Sequence, residues 1–236
     1  MAPRGSVTAD RPSGVRTVCE GGAMPQRAVR AILFDLDGTM VDSTASVERN
    51  WRRLSERVGI GWDVIGPWIH GIPVRQVLAR LAPDMSPEEI EEHHQFMVEA
   101  ESTDTGDVVP LPGALRALDQ LPTSRWAIVT SGGRRLATAR MRAAGLPQPR
   151  HLVTADDVDT GKPAPDPYLA GARAVGQPPQ SCLAFEDAPA GIASAQAAGV
   201  PVVGIRTTHR DLDQPSVGSL AEVEFSADRM GVVVTW

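Results

Sequence analysis

The stretch VRAILFDLDGTMVDS, residues 29–43, starts as an apolar run and ends in a turn rich in carboxylates. A short apolar run that ends in acidic residues and glycine is typical of a buried strand of a parallel sheet that leads into a loop. Asp35 and Asp37 stand two residues apart where that strand ends. Two such carboxylates repel each other unless a cation lies between them, and Mg2+ prefers hard oxygen ligands. The same residues could also form an acidic turn that caps a helix, because Asp-Gly is common in turns.

Further apolar runs follow along the chain and are separated by helical patterns that end in glycine or proline. These runs are RWAIVTS (125–131), HLVT (151–154), SCLAFED (181–187) and VPVVGIRT (200–207). Alternating strands and helices predict an α/β fold, a Rossmann-like parallel sheet with helices on both faces. Ligands bind at the carboxyl ends of the strands in such sheets, so we expect Asp35, Thr130, Glu186 and Asp187 to share one site.

Residues 43–108 interrupt this alternation, because they contain several amphipathic helical stretches and no convincing strand. They predict a small helical cap domain inserted after the first strand, and SPEE (86–89) has the form of a capping box at a helix start. Residues 28–42 and 109–236 then form the α/β core. We expect residues 1–27, which mix Pro, Gly, Ser and Arg, to be a disordered leader.

The C-terminal segment EVEFSADRMGVVVTW, residues 222–236, has strand-like runs. We interpret it as a segment that closes the edge of the sheet.

Composition excludes several classes of protein. A net charge of -6 and a pI near 5.4 argue against a nucleic-acid surface. No apolar run approaches the roughly 18 residues of a membrane span, and Cys19 and Cys182 alone make neither a disulfide framework nor a cysteine-rich metal site. A cytoplasmic protein is therefore expected. A nucleotide-binding dehydrogenase is disfavoured because no glycine-rich turn follows the first strand.

Four motifs occur in a fixed order along the chain. They are FDLDGTMVDS (34–43), VTSG (129–132), GKPAPDPYL (161–169) and FEDAPAGI (185–192). Together they resemble the motifs of the haloacid dehalogenase-like (HAD) superfamily of aspartyl-phosphate-forming hydrolases, and the resemblance extends from Ile32 to about Thr208. The residues of the last three motifs are similar to those of the same motifs in the branch of glycerol-phosphate and small sugar-phosphate phosphatases.

The resemblance implies roles for the residues that match its motifs. Asp35 is expected to be the nucleophile that attacks phosphorus, and Asp37 the general acid that protonates the leaving alkoxide. Thr130 is expected to hydrogen-bond the phosphoryl group, assisted by backbone N–H groups near Ser131 and Gly132.

The resemblance also implies a Mg2+ site. Asp35, the main-chain carbonyl of Asp37 and Asp187 are expected to hold the ion, with Glu186 supporting it directly or through water.

Lys162 is the single lysine beside 22 arginines. This suggests a place where a compact ammonium fits and a flat guanidinium does not, and the resemblance implies that it holds Asp35 and balances the charge of the transition state. The alternative is a loop lysine that pairs with Asp159 or Asp166 at the surface.

Substrate selection is expected to come from the cap, where WIHGIPVRQ (68–76) is the segment we place over the site. His70 and Arg75 are candidates to hydrogen-bond hydroxyls or a distal charge, and Glu48 to bind a polyol. The alternative for each is a solvated helix face or a hinge.

Other conspicuous side chains of the cap suit structural roles. We expect Trp51, Trp62 and Trp68 to form its core. His93 and His94 are adjacent, point to different sides of a helix and so do not chelate one metal ion, and both are expected to be solvated.

The sequence therefore predicts a cytoplasmic, Mg2+-dependent phosphatase of small sugar or polyol phosphates, with a small phosphorylated metabolite as partner and a monomeric or weakly dimeric state. A sugar-phosphate mutase of the β-phosphoglucomutase type shares the four motifs and the cap, and is the alternative. A non-catalytic phospho-accepting domain is the alternative from a different class, although the cap argues against it. A dehalogenase is disfavoured because Asp37 as acid and base is a feature of phosphatases.

Overall fold

The computed structural model describes residues 24–69 and 72–236. Its strands are β1 (Gln26–Val29), β2 (Ala31–Phe34), β3 (Val41–Asp42), β4 (Val109–Pro110), β5 (Trp126–Val129), β6 (Leu152–Val153), β7 (Cys182–Glu186), β8 (Val202–Ile205), β9 (Ser216–Val217), β10 (Glu224–Ala227) and β11 (Val232–Thr235). Its helices are α1 (Thr44–Val58), α2 (Trp62–Ile65), α3 (Val74–Leu81), α4 (Pro87–Thr103), α5 (Ala114–Gln120), α6 (Arg134–Ala143), α7 (Asp166–Ala174) and α8 (Pro189–Ala197).

The main sheet has six parallel strands in the order β6-β5-β2-β7-β8-β9. Side chains alternate between its faces, as the period of a strand requires. Ile32 and Phe34 belong to one core with residues of α5 and α6, whereas Ala31 and Leu33 belong to another with residues of α7 and α8. The predicted parallel α/β sheet with helices on both faces is therefore confirmed.

The C-terminal strands form a second sheet. β10 and β11 pair antiparallel with each other, and β1 pairs antiparallel with β11 in the order β1-β11-β10. The interpretation that residues 222–236 close the edge of the main sheet is wrong, because β6 and β9 are its edge strands and β10 and β11 belong to the second sheet. Gln26 and Arg27, assigned to the leader, lie in β1, and residues 1–23 are outside the described residues.

Helices α1 to α4 are inserted between β3 and β4, which pair antiparallel and so bring both ends of the insertion together. These helices have a hydrophobic core of their own that includes Trp51, and Trp62 and Trp68 pack against it, as predicted. The expected capping box starts α4, since Ser86 Oγ accepts from the Glu89 N–H at 3.2 Å and Glu89 Oε2 accepts from the Ser86 N–H at 2.8 Å. Within the described ranges, no helix has the length and apolarity needed to cross a membrane.

Candidate active site

The carboxyl ends of three neighbouring strands meet at one polar cluster. Asp35 follows β2, Thr130 follows β5, and β7 ends at Glu186, which Asp187 follows. Because β2 lies between β5 and β7, these ends lie side by side. All four side chains are buried, with at most 7% of any residue exposed. The structure thus brings together the four residues that were expected to share one site because they stand at the carboxyl ends of strands.

Three of these residues form an acidic cluster. Oxygens of Asp35, Glu186 and Asp187 all lie within 4.8 Å of one another. Burial, followed by repulsion from Glu186, raises the pKa of Asp35 well above its ordinary value, and the same causes raise the pKa of Asp187 to about 7. Three carboxylates held this close to one another favour the neutral form unless a cation offsets their charge. Buried hard oxygen donors fit a divalent cation such as Mg2+.

Lys162 supplies positive charge to this cluster. Its Nζ donates to Asp35 Oδ1 at 2.6 Å, to Glu186 Oε1 at 2.5 Å and to the Val129 carbonyl at 3.0 Å. These three acceptors match the three N–H donors of an ammonium group. Burial alone would lower the pKa of Lys162, but the Asp35 and Glu186 carboxylates raise it above its ordinary value, so the group is charged. The alternative of a surface lysine is wrong, because Lys162 is 5% exposed.

Asp37 lies beside the acidic cluster rather than inside it, and its side chain is 27% exposed. Ser43 Oγ donates to Asp37 Oδ1 at 2.8 Å, and Arg140 Nη1 lies 2.9 Å from the same oxygen. Arg140 Nη2 also lies 2.8 Å from Glu101 Oε2, and both of these residues are buried. A buried guanidinium on α6 therefore joins Asp37 to helix α4 of the insertion.

The loop after β5 approaches the cluster through its backbone. The Gly132 N–H donates to Thr130 Oγ1 at 3.0 Å, and Thr130, Ser131, Gly132 and Gly133 all line one cavity. Helix α6 begins directly after Gly133. Backbone N–H groups at the start of a helix favour an anion, so this loop suits a phosphate group.

Two glycines permit the close packing of the acidic cluster. Gly38 has φ 85°, a conformation that favours glycine, and a Cβ there would lie 2.1 Å from Asp187 Oδ2. A Cβ on Gly191 in α8 would lie 1.7 Å from Glu186 Oε1. Any larger residue at either position would displace a carboxylate.

A cavity of about 200 Å³ lies over these side chains. Its opposite wall is mostly apolar and comes from the inserted segment. The apolar residues of that wall are Trp51, Ile69, Ile72, Pro73, Val74, Met97 and Val98. The volume is below the roughly 300–1,000 Å³ of pockets for drug-sized ligands. The cavity therefore suits a small metabolite.

Two predicted substrate-binding residues lie away from this cavity. Glu48 Oε1 is 2.6 Å from Arg52 Nη2, and Arg75 Nε is 2.7 Å from Glu91 Oε2, with all four side chains about half exposed. Glu48 and Arg75 therefore lie in solvated ion pairs, and the prediction that they bind substrate is not supported. His70, the third candidate, is outside the described residues.

The adjacent histidines of α4 have different surroundings. His93 Nδ1 accepts from Arg57 Nε at 3.2 Å in an exposed contact. His94 instead lines the cavity, on the same helix face as Met97 and Glu101. The prediction that His94 is solvated is wrong, because His94 lines the cavity and its Nδ1 is buried.

Arg140 and Glu101 were not identified from the sequence. Arg140 is one of four arginines in α6, RRLATARMRA, and the buried face of this helix consists of Leu136, Ala137, Arg140 and Met141. An arginine on the apolar stripe of an amphipathic helix is unusual and could have been noticed from its spacing.

The motifs and the site geometry agree with a comparison against protein families. The model of the haloacid dehalogenase-like hydrolases matches residues 29–199, which is more than half of the chain. The chain belongs to this family. This hydrolase is similar to hexitol phosphatase A of Escherichia coli (strain K12), with 38% identity over 205 residues that cover 86% of this chain and 94% of the relative.

Two further relatives support the assignment of this hydrolase. Glycerol-1-phosphate phosphohydrolase 2 of Saccharomyces cerevisiae is 35% identical over 196 residues, which cover 78% of this chain and 77% of that protein. The crystal structure of a hydrolase from Pseudomonas syringae has a TM-score of 0.72 and 27% identity, and the match covers 81% of this chain and 94% of the other. The predicted superfamily is confirmed.

Proposed function

We propose that this hydrolase is a Mg2+-dependent phosphatase of small sugar or polyol phosphates. The observation that carries the proposal is the buried contact of Lys162 with Asp35 at the floor of the cavity, beside the carboxylates of Glu186 and Asp187. Relatives named as a hexitol phosphatase and a glycerol-1-phosphate phosphohydrolase support the substrate class.

The reaction has two steps. First, a carboxylate oxygen of Asp35 attacks phosphorus, the bond from phosphorus to the ester oxygen breaks, and Asp37 gives its proton to the leaving oxygen. Next, Asp37 takes a proton from water, whose oxygen attacks the same phosphorus. The bond from phosphorus to Asp35 then breaks, which releases phosphate and restores both carboxyl groups.

Neighbouring groups position the phosphoryl group and balance its charge. Lys162 holds Asp35 in place and lies where the negative charge of the phosphoryl oxygens develops. Thr130 and the N–H groups near Ser131 and Gly132 would hydrogen-bond those oxygens.

The residues that would hold Mg2+ are Asp35, Asp187 and the main-chain carbonyl of Asp37, with Glu186 supporting the site directly or through water. Bound there, the ion would offset the charge of the phosphoryl oxygens and let an anionic nucleophile approach them. Glu186 Oε1 already accepts from Lys162, and its Oε2 accepts from the Ala188 N–H at 3.0 Å. These contacts favour a supporting role for Glu186.

The other proposed properties follow from composition and from the site. The substrate is a small phosphorylated metabolite, and neither nucleic acid nor membrane is a partner. The cytoplasmic location and the monomeric or weakly dimeric state stay predictions.

The test is phosphate release from a panel of sugar, polyol and glycerol phosphates, with Mg2+ or with excess EDTA. We expect metal-dependent release that falls at least 1,000-fold in Asp35→Asn, because the nucleophile is lost. Asp84→Asn, the same exchange at an exposed residue of the insertion, should leave the rate unchanged. Full activity in Asp35→Asn would contradict the proposal, and turnover that requires a bisphosphate activator would favour the mutase.

A further inference from the structure

One face of α4 forms part of the cavity wall. His94, Met97, Val98 and Glu101 line the cavity, and their spacing of i, i+3, i+4 and i+7 places them on one side of the helix. The two central side chains are apolar and the two outer ones are polar. Glu101 is paired with Arg140 at 2.8 Å, which leaves His94 as the polar group of this face that is available to a ligand.

The imidazole of His94 has unused hydrogen-bonding capacity. Its Nδ1 is buried and has no hydrogen-bond partner among residues 24–69 and 72–236. Burial, and then the nearby charge of Arg75, lowers the pKa of His94, while Glu91 and Asp156 oppose that shift. The ring is therefore neutral near pH 7, with one donor and one acceptor nitrogen. A hydroxyl group, which both donates and accepts, is the complementary partner.

The cations of the cavity are already paired. Among the lining residues that the structure describes, Lys162 and Arg140 are the permanently charged cations. Lys162 contacts two carboxylates, and so does Arg140. A second anionic group on a substrate would lie against the apolar wall of the cavity without a free cation, which carries a large desolvation cost.

We infer that His94 is a specificity-determining residue that hydrogen-bonds a hydroxyl on the uncharged tail of the substrate, in a cavity that disfavours a second anionic group. The inference rests on the proposed function and narrows it. The substrate class becomes phosphomonoesters of neutral polyols or sugars, as opposed to phosphorylated acids and bisphosphates.

The test compares kcat and KM for a hexitol phosphate and for phenyl phosphate, whose tail has no hydroxyl. His94→Ala should lower kcat/KM for the hexitol phosphate roughly tenfold, mainly through KM, because one hydrogen bond is lost. It should change kcat/KM for phenyl phosphate less than about twofold, and His94→Gln should recover part of the loss. His93→Ala, the matched exchange at the neighbouring residue, which does not line the cavity, should affect neither substrate.

Wild-type enzyme should also hydrolyse the hexitol phosphate at least about tenfold more efficiently than 2-phosphoglycolate or a sugar bisphosphate. Equal losses on both neutral substrates in His94→Ala would indicate a structural role and overturn the inference, as would no loss. Efficient turnover of 2-phosphoglycolate or of the sugar bisphosphate would contradict the inference that the cavity disfavours a second anionic group. If wild-type enzyme releases phosphate from no substrate, the proposed phosphatase function fails. If wild-type enzyme hydrolyses phenyl phosphate but His94→Ala has none of the expected effects, only the role of His94 fails.

Discussion

Lys162 occupies a space that is matched to an ammonium group. Three acceptors surround its Nζ within 3.0 Å, and the residue is 5% exposed. A guanidinium is broader and brings five N–H donors in a rigid plane. At this position it would displace Asp35 or Glu186 and leave buried donors without partners, although the charge would be kept.

Lys162→Arg should therefore lower kcat/KM at least 100-fold and reduce the free energy of unfolding by about 2 kcal/mol. Steady-state kinetics and urea denaturation measure these two effects. Arg173→Lys, the reverse exchange at an exposed position of α7, should change neither quantity. An active Lys162→Arg enzyme would show that charge alone matters at this position.

Site residues could be identified from the sequence where their partners lie close to them in the chain. They were missed where their partners lie far away in the chain. Asp35 and Asp37 stand in one short motif at a strand end, so their proximity follows from local geometry. The positions of Arg140 and His94 depend on how α4 packs against α6, and those helices are far apart in the sequence. No local pattern specifies that contact.

Helices α4 and α6 are joined by two ion pairs of different burial. Glu101 and Arg140 form the buried pair, whereas Glu99 Oε2 lies 2.6 Å from Arg135 Nη2 with about 60% of each side chain exposed. Burial raises the pKa of Glu101, and Arg140 opposes that shift. Removing one partner of a buried pair leaves a charge that water cannot reach, while an exposed pair is replaced by hydration.

Glu101→Ala should therefore reduce the free energy of unfolding by about 3 kcal/mol, although Arg140 keeps Asp37 as a partner. Glu99→Ala, on the same helix, should reduce it by less than about 1 kcal/mol. Chemical denaturation of both variants measures the difference. Equal effects would mean that the buried pair contributes no more than the exposed one.

β9 lies in none of the apolar runs, but β2, β5, β6, β7 and β8 were predictable because each coincides with an apolar run that ends in a stop signal. The pairing of β1 with β11 was not, since nearly the whole chain separates them. A strand pattern indicates an apolar face but does not indicate which strand lies beside it. The C-terminal strands were therefore recognised as strands and assigned to the wrong sheet.

For the whole molecule, the acidic cluster links stability to pH and, through the proposed site, to Mg2+. The pKa of Asp187 is about 7 in the folded protein and about 3.9 in an unfolded chain. Between these values the folded state binds more protons, so the contribution of Asp187 to stability falls as pH rises from about 4 through about 7. Lys162 is protonated in both states over this range and adds no slope.

If Mg2+ binds as proposed, it would displace the proton from this cluster, so its effect on stability should grow with pH. The rise in Tm on exchange of EDTA for Mg2+ should be larger at pH 8 than at pH 5.5. Calorimetry at pH 5.5 and at pH 8 measures the rise in Tm. In the control variant Asp187→Asn, most of the difference in this rise between the two pH values should disappear. A rise in Tm that is independent of pH would contradict the assignment of Asp187 to the metal site.

The inserted helices were predictable as a unit because they interrupt the alternation of strands and helices and have their own apolar core around Trp51. Their cavity-facing surface was not predictable, since it depends on the orientation of the insertion over the sheet. Glu48 and Arg75 were chosen from the sequence for their chemistry and lie in solvated ion pairs. The sequence predicts that His94 is solvated, whereas His94 lines the cavity.

The single lysine side chain also determines how the folded protein responds to amine-directed reagents. Its ε-amino group is buried and hydrogen-bonded to Asp35 and Glu186, so acylating reagents can reach it only in molecules whose active site has opened. The extent of lysine acylation then measures the opened fraction at one defined position. Coupling to a support through this lysine, a routine way to immobilise enzymes, would modify the ammonium group that contacts Asp35.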